Sequence, residues 1–138
     1  MANNGSNTVT KLRASDGAPQ PGSPFPVGSF PFGVAFDGAN LWVANYGSAS
    51  VTKLRASDGA CVGTCTFAVG SQPYGVAFDG ANLWVVNSAD SSVTKLRTSD
   101  GACLGTCTFA VGNFPSGVAF DGANIWVTNN TRNSVSKL

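Results

Sequence analysis

Gly75-Val76-Ala77-Phe78-Asp79-Gly80-Ala81-Asn82-Leu83-Trp84-Val85 is the stretch on which the reading of this chain turns. It stands again at residues 33–43, and at residues 117–127 with Ile125 in place of the leucine, a strict period of 42 residues. A fixed period of roughly 20–50 residues marks stacked supersecondary units. Within the unit, Val-Ala-Phe and Leu-Trp-Val are short β-prone runs, and the Asp-Gly between them is a strong hairpin signal. These two runs are strands A and B of the repeat.

Downstream lies Ser-Val-Thr-Lys-Leu-Arg at residues 50–55 and 92–97, matched at residues 7–13 and imperfectly at 133–138. Alternation sets Val51, Lys53 and Arg55 on one face and Thr52 and Leu54 on the other, a strand pattern, here strand C. Ser-Asp-Gly-Ala follows at residues 15–18, 57–60 and 99–102, where aspartate and glycine each suit a turn. A divergent connector comes next. It is Pro19-Gln20-Pro21-Gly22-Ser23-Pro24 in the first copy, then Cys61-Val62-Gly63-Thr64-Cys65 and Cys103-Leu104-Gly105-Thr106-Cys107. A short strand D (residues 25–27, 66–69 and 108–111) leads through Gly-x-x-Pro-x-Gly back to strand A. Glycine or proline interrupts every candidate helix within about ten residues.

The chain therefore divides into repeats at about residues 1–28 (strands C and D), 29–70, 71–112 and 113–138 (strands A, B and C), all within one domain, 1–138. On this reading it begins at strand C. Four short strands per repeat with no helix match one propeller blade, so the expected fold is all-β, with four-stranded antiparallel blades. The pattern Pro-x-Gly-Val-Ala-Phe-Asp-Gly-Ala-Asn-Leu-Trp-Val-Ala-Asn, followed by Ser-Val-Thr-Lys-Leu, resembles NHL- and YVTN-type blades and the virginiamycin B lyase-like group. The resemblance spans nearly the whole chain and implies a β-propeller. It implies little about activity, because such blades carry many functions.

Three blade equivalents do not close a ring, since natural propellers use about four to eight blades. An open arc would expose two apolar blade faces, and faces of that kind call for a partner. The expected partner is another copy of the chain joined head-to-tail. A dimer giving six blades is favoured, with a trimer or a filament as alternatives.

The formal charge is +1, from eight basic and seven acidic residues, which leaves no footprint for nucleic acid or an anionic membrane surface. No apolar run approaches the ~20 residues of a membrane helix, and residues 1–7 lack the basic and apolar regions of a secretory signal. Asp37, Asp79 and Asp121, at the A–B turns, and Asp16, Asp58 and Asp100, at the C–D turns, read as turn builders rather than catalytic or metal-binding carboxylates. Cys61/Cys65 and Cys103/Cys107, each spaced Cys-x3-Cys, are expected to form local disulfides if the connector is a tight hairpin. Free buried thiols and a four-thiolate metal site are the alternatives. Disulfides would favour an extracellular or cell-surface location; without them the compartment is open. No metal, cofactor or catalytic residue is expected.

Trp42, Trp84 and Trp126 sit mid-strand and read as packing between blades. The cations of strand C read as a solvated outer rim. A ligand is better placed on the loops that break the repeat. In propellers the D–A and B–C loops open on one rim, and their candidate binding residues here are Phe32, Tyr74, Ser116, Asn45, Tyr46, Asn87 and Asn129.

The function expected is a non-catalytic, self-assembling scaffold or binding module. The alternatives are a lectin-like binder of a small ligand or glycan on that rim, and a lyase-like enzyme. The lyases that the blades resemble place histidine and glutamate around magnesium, and this chain contains neither residue type.

Overall fold

The computed structural model describes the chain except Val62 and Leu104, which belong to the two cysteine-bearing connectors, so those two positions of the expected connector lie outside the described residues. Its strands form four antiparallel sheets in chain order. The first holds β1 (Ala2–Asn3), β2 (Thr8–Val9) and β3 (Phe25–Pro26). The second runs β4 (Pro31–Phe36), β5 (Asn40–Asn45), β6 (Ser50–Arg55) and β7 (Thr66–Ala68). The third repeats it with β8 (Pro73–Phe78), β9 (Asn82–Asn87), β10 (Ser92–Arg97) and β11 (Thr108–Ala110). The fourth holds β12 (Pro115–Phe120), β13 (Ile125–Asn129) and β14 (Ser134–Lys137). Among the described residues the helical segments are three single 3-10 turns, at Asn4–Ser6, Tyr46–Ser48 and Asn130–Arg132.

The start of the chain departs from the sequence expectation. Ala2–Asn3 occupies the repeat position of Ala44-Asn45 and pairs with β2, so it is the end of a strand B rather than a segment ahead of strand C. The strand expected over residues 7–13 contracts to Thr8–Val9, with one isolated bridge from Leu12 to Pro19. Beyond Thr10, whose amide bonds to Met1 O, this segment has no strand B beside it, so one side of its ladder is missing.

The apolar runs of strands B and C in the second and third sheets are buried on both faces, which is why they read as near-continuous hydrophobic stretches, while strand A stays partly exposed. With a period of two, Leu41 and Val43 face the first sheet, where Val43 and Leu54 pack with Val9 and Phe25. Trp42, Ala44 and Val51 face the other way and pack with Leu83, Val85 and Leu96 of the third sheet. Trp84, Val86 and Val93 repeat the contact against Ile125 and Val127 of the fourth. The second, third and fourth sheets thus each carry a tryptophan on the forward face, and the first, which holds only β1 to β3, carries none.

Strand A is innermost, and there the sheets converge. The register shifts between Pro31 and Val34, and between Pro73 and Val76, and the glycines inside those shifts meet the next sheet's backbone. A Cβ on Gly33 would stand 2.3 Å from Tyr74 O, and one on Gly75 would stand 2.4 Å from Ser116 O. No side chain fits at either place.

Cys61–Cys65 and Cys103–Cys107 are bridged, each pair with Cα atoms 5.5 Å apart, and no free cysteine remains. Both bridges are compatible with an oxidising, extracellular environment.

Candidate functional site

The D–A and B–C loops are tied together at one end of the sheets. Tyr46 N donates to Phe30 O, Ser88 N to Gln72 O and Asn130 N to Phe114 O, at 3.0, 3.1 and 3.2 Å. Phe32, Tyr46 and Tyr74 meet on this rim. The Phe32 and Tyr74 rings stack with centroids 4.8 Å apart, and Tyr46 stands edge-on to both, 5.4 Å from Phe32 and 6.4 Å from Tyr74. Phe32 and Tyr74 each keep 39% of their surface exposed, so the cluster is a shelf and not a core.

Ser116 occupies the position of Phe32 and Tyr74 in the last repeat and carries no ring. Its hydroxyl donates to Asn130 Oδ1 at 3.1 Å and lies 3.3 Å from Thr128 Oγ1, which accepts the Gly117 amide at 2.9 Å. The space beside it is an open notch of about 360 Å³, lined by the rings of Tyr46, Tyr74 and Phe114 together with Gln72, Ser88, Ser116 and Asn130. The loop positions thus bring Phe32, Tyr46, Tyr74 and Ser116 to one surface.

The three asparagines expected beside them lie elsewhere. Asn45, Asn87 and Asn129 are buried, and their amides belong to the scaffold. Asn45 Nδ2 donates to Ser50 Oγ and Thr52 Oγ1 at 3.2 and 2.9 Å, and its Oδ1 accepts the Gly28 amide at 3.1 Å. Asn87 and Asn129 make the same pair of donations, to Ser92 and Thr94 and to Ser134 and Ser136. A Cβ on Gly28, Gly70 or Gly112 would stand 2.5–2.6 Å from the asparagine Cγ, so these glycines press directly on the buried amides. Burial and the donations from Nδ2 tie the asparagines to the scaffold, and Asn87 Oδ1 and Asn129 Oδ1 have no hydrogen-bond partner among the described residues.

At the opposite end, each A–B aspartate is a hub of donated hydrogen bonds. Asp37 Oδ1 accepts the Ala39 and Asn40 amides at 2.9 and 2.6 Å, and Oδ2 accepts Trp42 Nε1 at 2.7 Å. Asp79 and Asp121 repeat the arrangement with Trp84 and Trp126. Burial pushes the Asp37 and Asp79 carboxyls up, but the donors, led by the indole, outweigh it and hold both below the ordinary carboxylate value. For Asp121 the Trp126 indole is the largest influence, and the direction is again down. These carboxylates favour staying ionised and are committed to their turns.

Depressed carboxyl pKa values mean that the unfolded chain binds more protons, so this contribution is intact above about pH 4 and is lost as pH falls through the folded-state values. The melting temperature is expected to hold from neutrality to about pH 5 and to decline steadily below about pH 4. Thermal melts across that range check this; a constant melting temperature down to about pH 2 would contradict it.

Sequence reasoning missed the role of the strand C lysines. Lys53 is the cross-strand partner of Trp42, and its Nζ lies 5.0 Å from the indole centroid while donating to Thr98 O of the next sheet at 2.7 Å. Lys95 pairs with Trp84 across the strands and its Nζ lies 4.9 Å from that indole centroid. These cations clamp tryptophans at the sheet interfaces instead of forming a simple solvated rim. The arginines behave as expected of exposed ion pairs, with Arg55 holding Asp58, and Arg97 holding Asp100, at about 2.

No family model and no curated protein matches the chain. Solved structures do. Virginiamycin B lyase from Staphylococcus aureus superposes with a TM-score of 0.75 at 19% identity, over 99% of this chain and 45% of that one. Kuenenia stuttgartiensis hydrazine synthase gives 0.70 at 28% identity, over 78% of this chain and 32% of that one. A functionally unknown protein from Desulfotomaculum acetoxidans gives 0.71 at 18% identity, over 95% and 47%. The chain thus spans between a third and a half of these structures. Its sheets, stacked face to face with strand A innermost, have a propeller-like fold.

Proposed function

We propose that the chain is a non-catalytic β-propeller module that completes its ring with a second copy of itself, leaving the loop rim open to a ligand. One observation carries this reading. Between the first and second sheets lies an open, mostly apolar pocket of about 300 Å³ whose walls include Val9, Phe25, Val34, Leu41 and Leu54, with Met1, Lys11 and Arg55 also lining it. Between the second and third sheets the residues one repeat later, Val51, Phe67, Val76, Leu83 and Leu96, surround Trp42. The cavity therefore has the walls of a tryptophan seat with no tryptophan in it.

The fourth sheet carries the complementary feature. Trp126 is 39% exposed where Trp42 is fully buried, and Val135 beside it is 56% exposed. Residues 1–12 also occupy the same repeat positions as residues 127–138. In the proposed seam, β12 and β13 of one copy take the place beside β2 and β3 of the next, Trp126 enters the seat, and β1 and β14 are displaced. Two such seams and two complete sheets per chain make six blades, within the usual propeller range of about four to eight.

Native mass spectrometry of the 138-residue polypeptide is expected to show a dimer, and Trp126→Ala is expected to shift it to monomer. A monomeric wild-type chain would overturn the assembly, as would a dimer indifferent to Trp126→Ala.

A further inference from the structure

The notch beside Ser116 has the chemistry of a sugar site, and we infer that it binds a neutral saccharide by stacking on the Tyr74 side and hydrogen bonding on the Ser116 side. This rests on reading the fold as a binding module but not on its assembly, since every lining residue belongs to one chain.

Three observations converge. First, Phe32, Tyr46 and Tyr74 pack on one another at the surface, with Phe32 and Tyr74 each 39% exposed. Such rings offer an apolar face with a polar edge, which suits the C–H face and the hydroxyls of a pyranose.

Second, none of the residues lining the notch is charged. A site for phosphate, carboxylate or an acidic sugar would be expected to bring a cation to pair with, and a cationic ligand would be expected to meet a carboxylate. What lines the notch beside the rings is uncharged hydrogen-bonding chemistry: Gln72, Ser88, Ser116 and Asn130. Ser116 and Asn130 are already oriented by the bond between them, so their remaining donor and acceptor directions are set before a ligand arrives.

Third, the loop backbone is held in a costly conformation that projects these side chains. Phe30, Gln72 and Phe114 take φ values of 50°, 54° and 49°, in the left-handed region where glycine is the usual choice. An L-residue there costs about 1–2 kcal/mol, yet every D–A loop keeps a large side chain at this position. The carbonyls of Phe30, Gln72 and Phe114 accept the B–C loop amides, which holds this conformation, and Phe30 and Phe114 stay 54% and 59% exposed. This loop geometry, common to all three D–A loops, leaves Gln72 and Phe114 lining the notch. The last repeat supplies the asymmetry a small-ligand site needs, because serine there opens the space that a third ring would fill.

Titration calorimetry with cellotriose, triacetylchitotriose and maltotriose tests the site. At least one is expected to saturate with a Kd of about 1 mM or tighter. Tyr74→Ala is expected to weaken it about tenfold, the worth of one aromatic contact. Ser116→Tyr installs the residue type that the preceding repeat carries at this position, so it is expected to fold, fill the notch and abolish binding. Thermal melts confirm that both variants remain folded. Failure of all three sugars to saturate by about 10 mM would overturn the proposal, as would wild-type affinity in Ser116→Tyr. Binding of adenosine or tryptophanamide without any sugar would also overturn it, marking the shelf as a nucleobase or aromatic-peptide site. Native mass spectra of the same samples keep the two readings apart: a monomer that binds sugar sinks only the ring, and a dimer that does not sinks only the saccharide.

Discussion

Gly75→Ala is expected to lower the melting temperature by about 10 °C, the consequence of roughly 3 kcal/mol of overpacking in a chain of this size. The added methyl would lie 2.4 Å from Ser116 O and 3.4 Å from Val118 Cγ1. A backbone carbonyl cannot rotate away as a side chain can, so two inner strands must separate. The φ at Gly75 lies outside the left-handed region, and alanine in a strand is otherwise the better residue, so the loss is steric throughout. Gly33→Ala, aimed at Tyr74 O, is expected to behave alike.

Gly117 is the internal control. Its Cβ would meet only the Thr128 side chain, with Oγ1 nearest at 2.9 Å, a hydroxyl that can turn aside at the loss of the bond it accepts from the Gly117 amide. In the isolated chain Gly117→Ala should cost under about 1 kcal/mol. In the proposed ring another copy's first complete sheet would face this position, and the cost should rise towards that of Gly75→Ala. Differential scanning calorimetry of the three variants reads this directly. Equal tolerance at Gly33 and Gly75 would mean that the inner strands do not converge as described.

Trp42→Ala is expected to cost about 3–5 kcal/mol, a large part of the roughly 5–15 kcal/mol that holds a domain together. Trp42 is fully buried, tilted against Phe67 with centroids 5.5 Å apart, covered by Lys53 and bonded through Nε1 to Asp37. Its removal opens a cavity between the second and third sheets. It also takes a donor from a partly buried carboxylate and frees the lysine that bridges to Thr98. Chemical denaturation should show the lower midpoint, and Trp42→Phe should recover most of the packing but not the Asp37 bond. A loss below about 1 kcal/mol would show that the interface does not depend on the indole. Trp126→Ala is the matching probe at the uncovered face, expected to be mild in a monomer and as severe as Trp42→Ala where a second copy covers it.

The repeat itself was legible in the amino-acid order, because its signals are local. Asp-Gly turns, alternation along Val-Thr-Lys-Leu and Cys-x3-Cys spacing each depend on residues within one hairpin, and the corresponding turns, strands and bridges are present in the second and third sheets, while the strand expected over residues 7–13 contracts to Thr8–Val9. The placement of Phe32, Tyr46 and Tyr74 on one rim followed from the same periodicity. The asparagines could have been assigned to the scaffold from the sequence: Asn45 pairs with Ser50 across the hairpin, and Ser50 and Thr52 share a face, so three polar groups were bound to meet. What no local pattern contained was distance between repeats. Gly33 and Tyr74 are far apart in sequence, and only the convergence of strands A sets a carbonyl 2.3 Å from the missing Cβ. In the same way, only stacking decides that Trp42 is sealed and Trp126 half open, although the two hairpins are nearly identical in sequence. Period and hairpin chemistry determine the blade; the neighbour each blade happens to have determines which of its identical residues are core and which are surface.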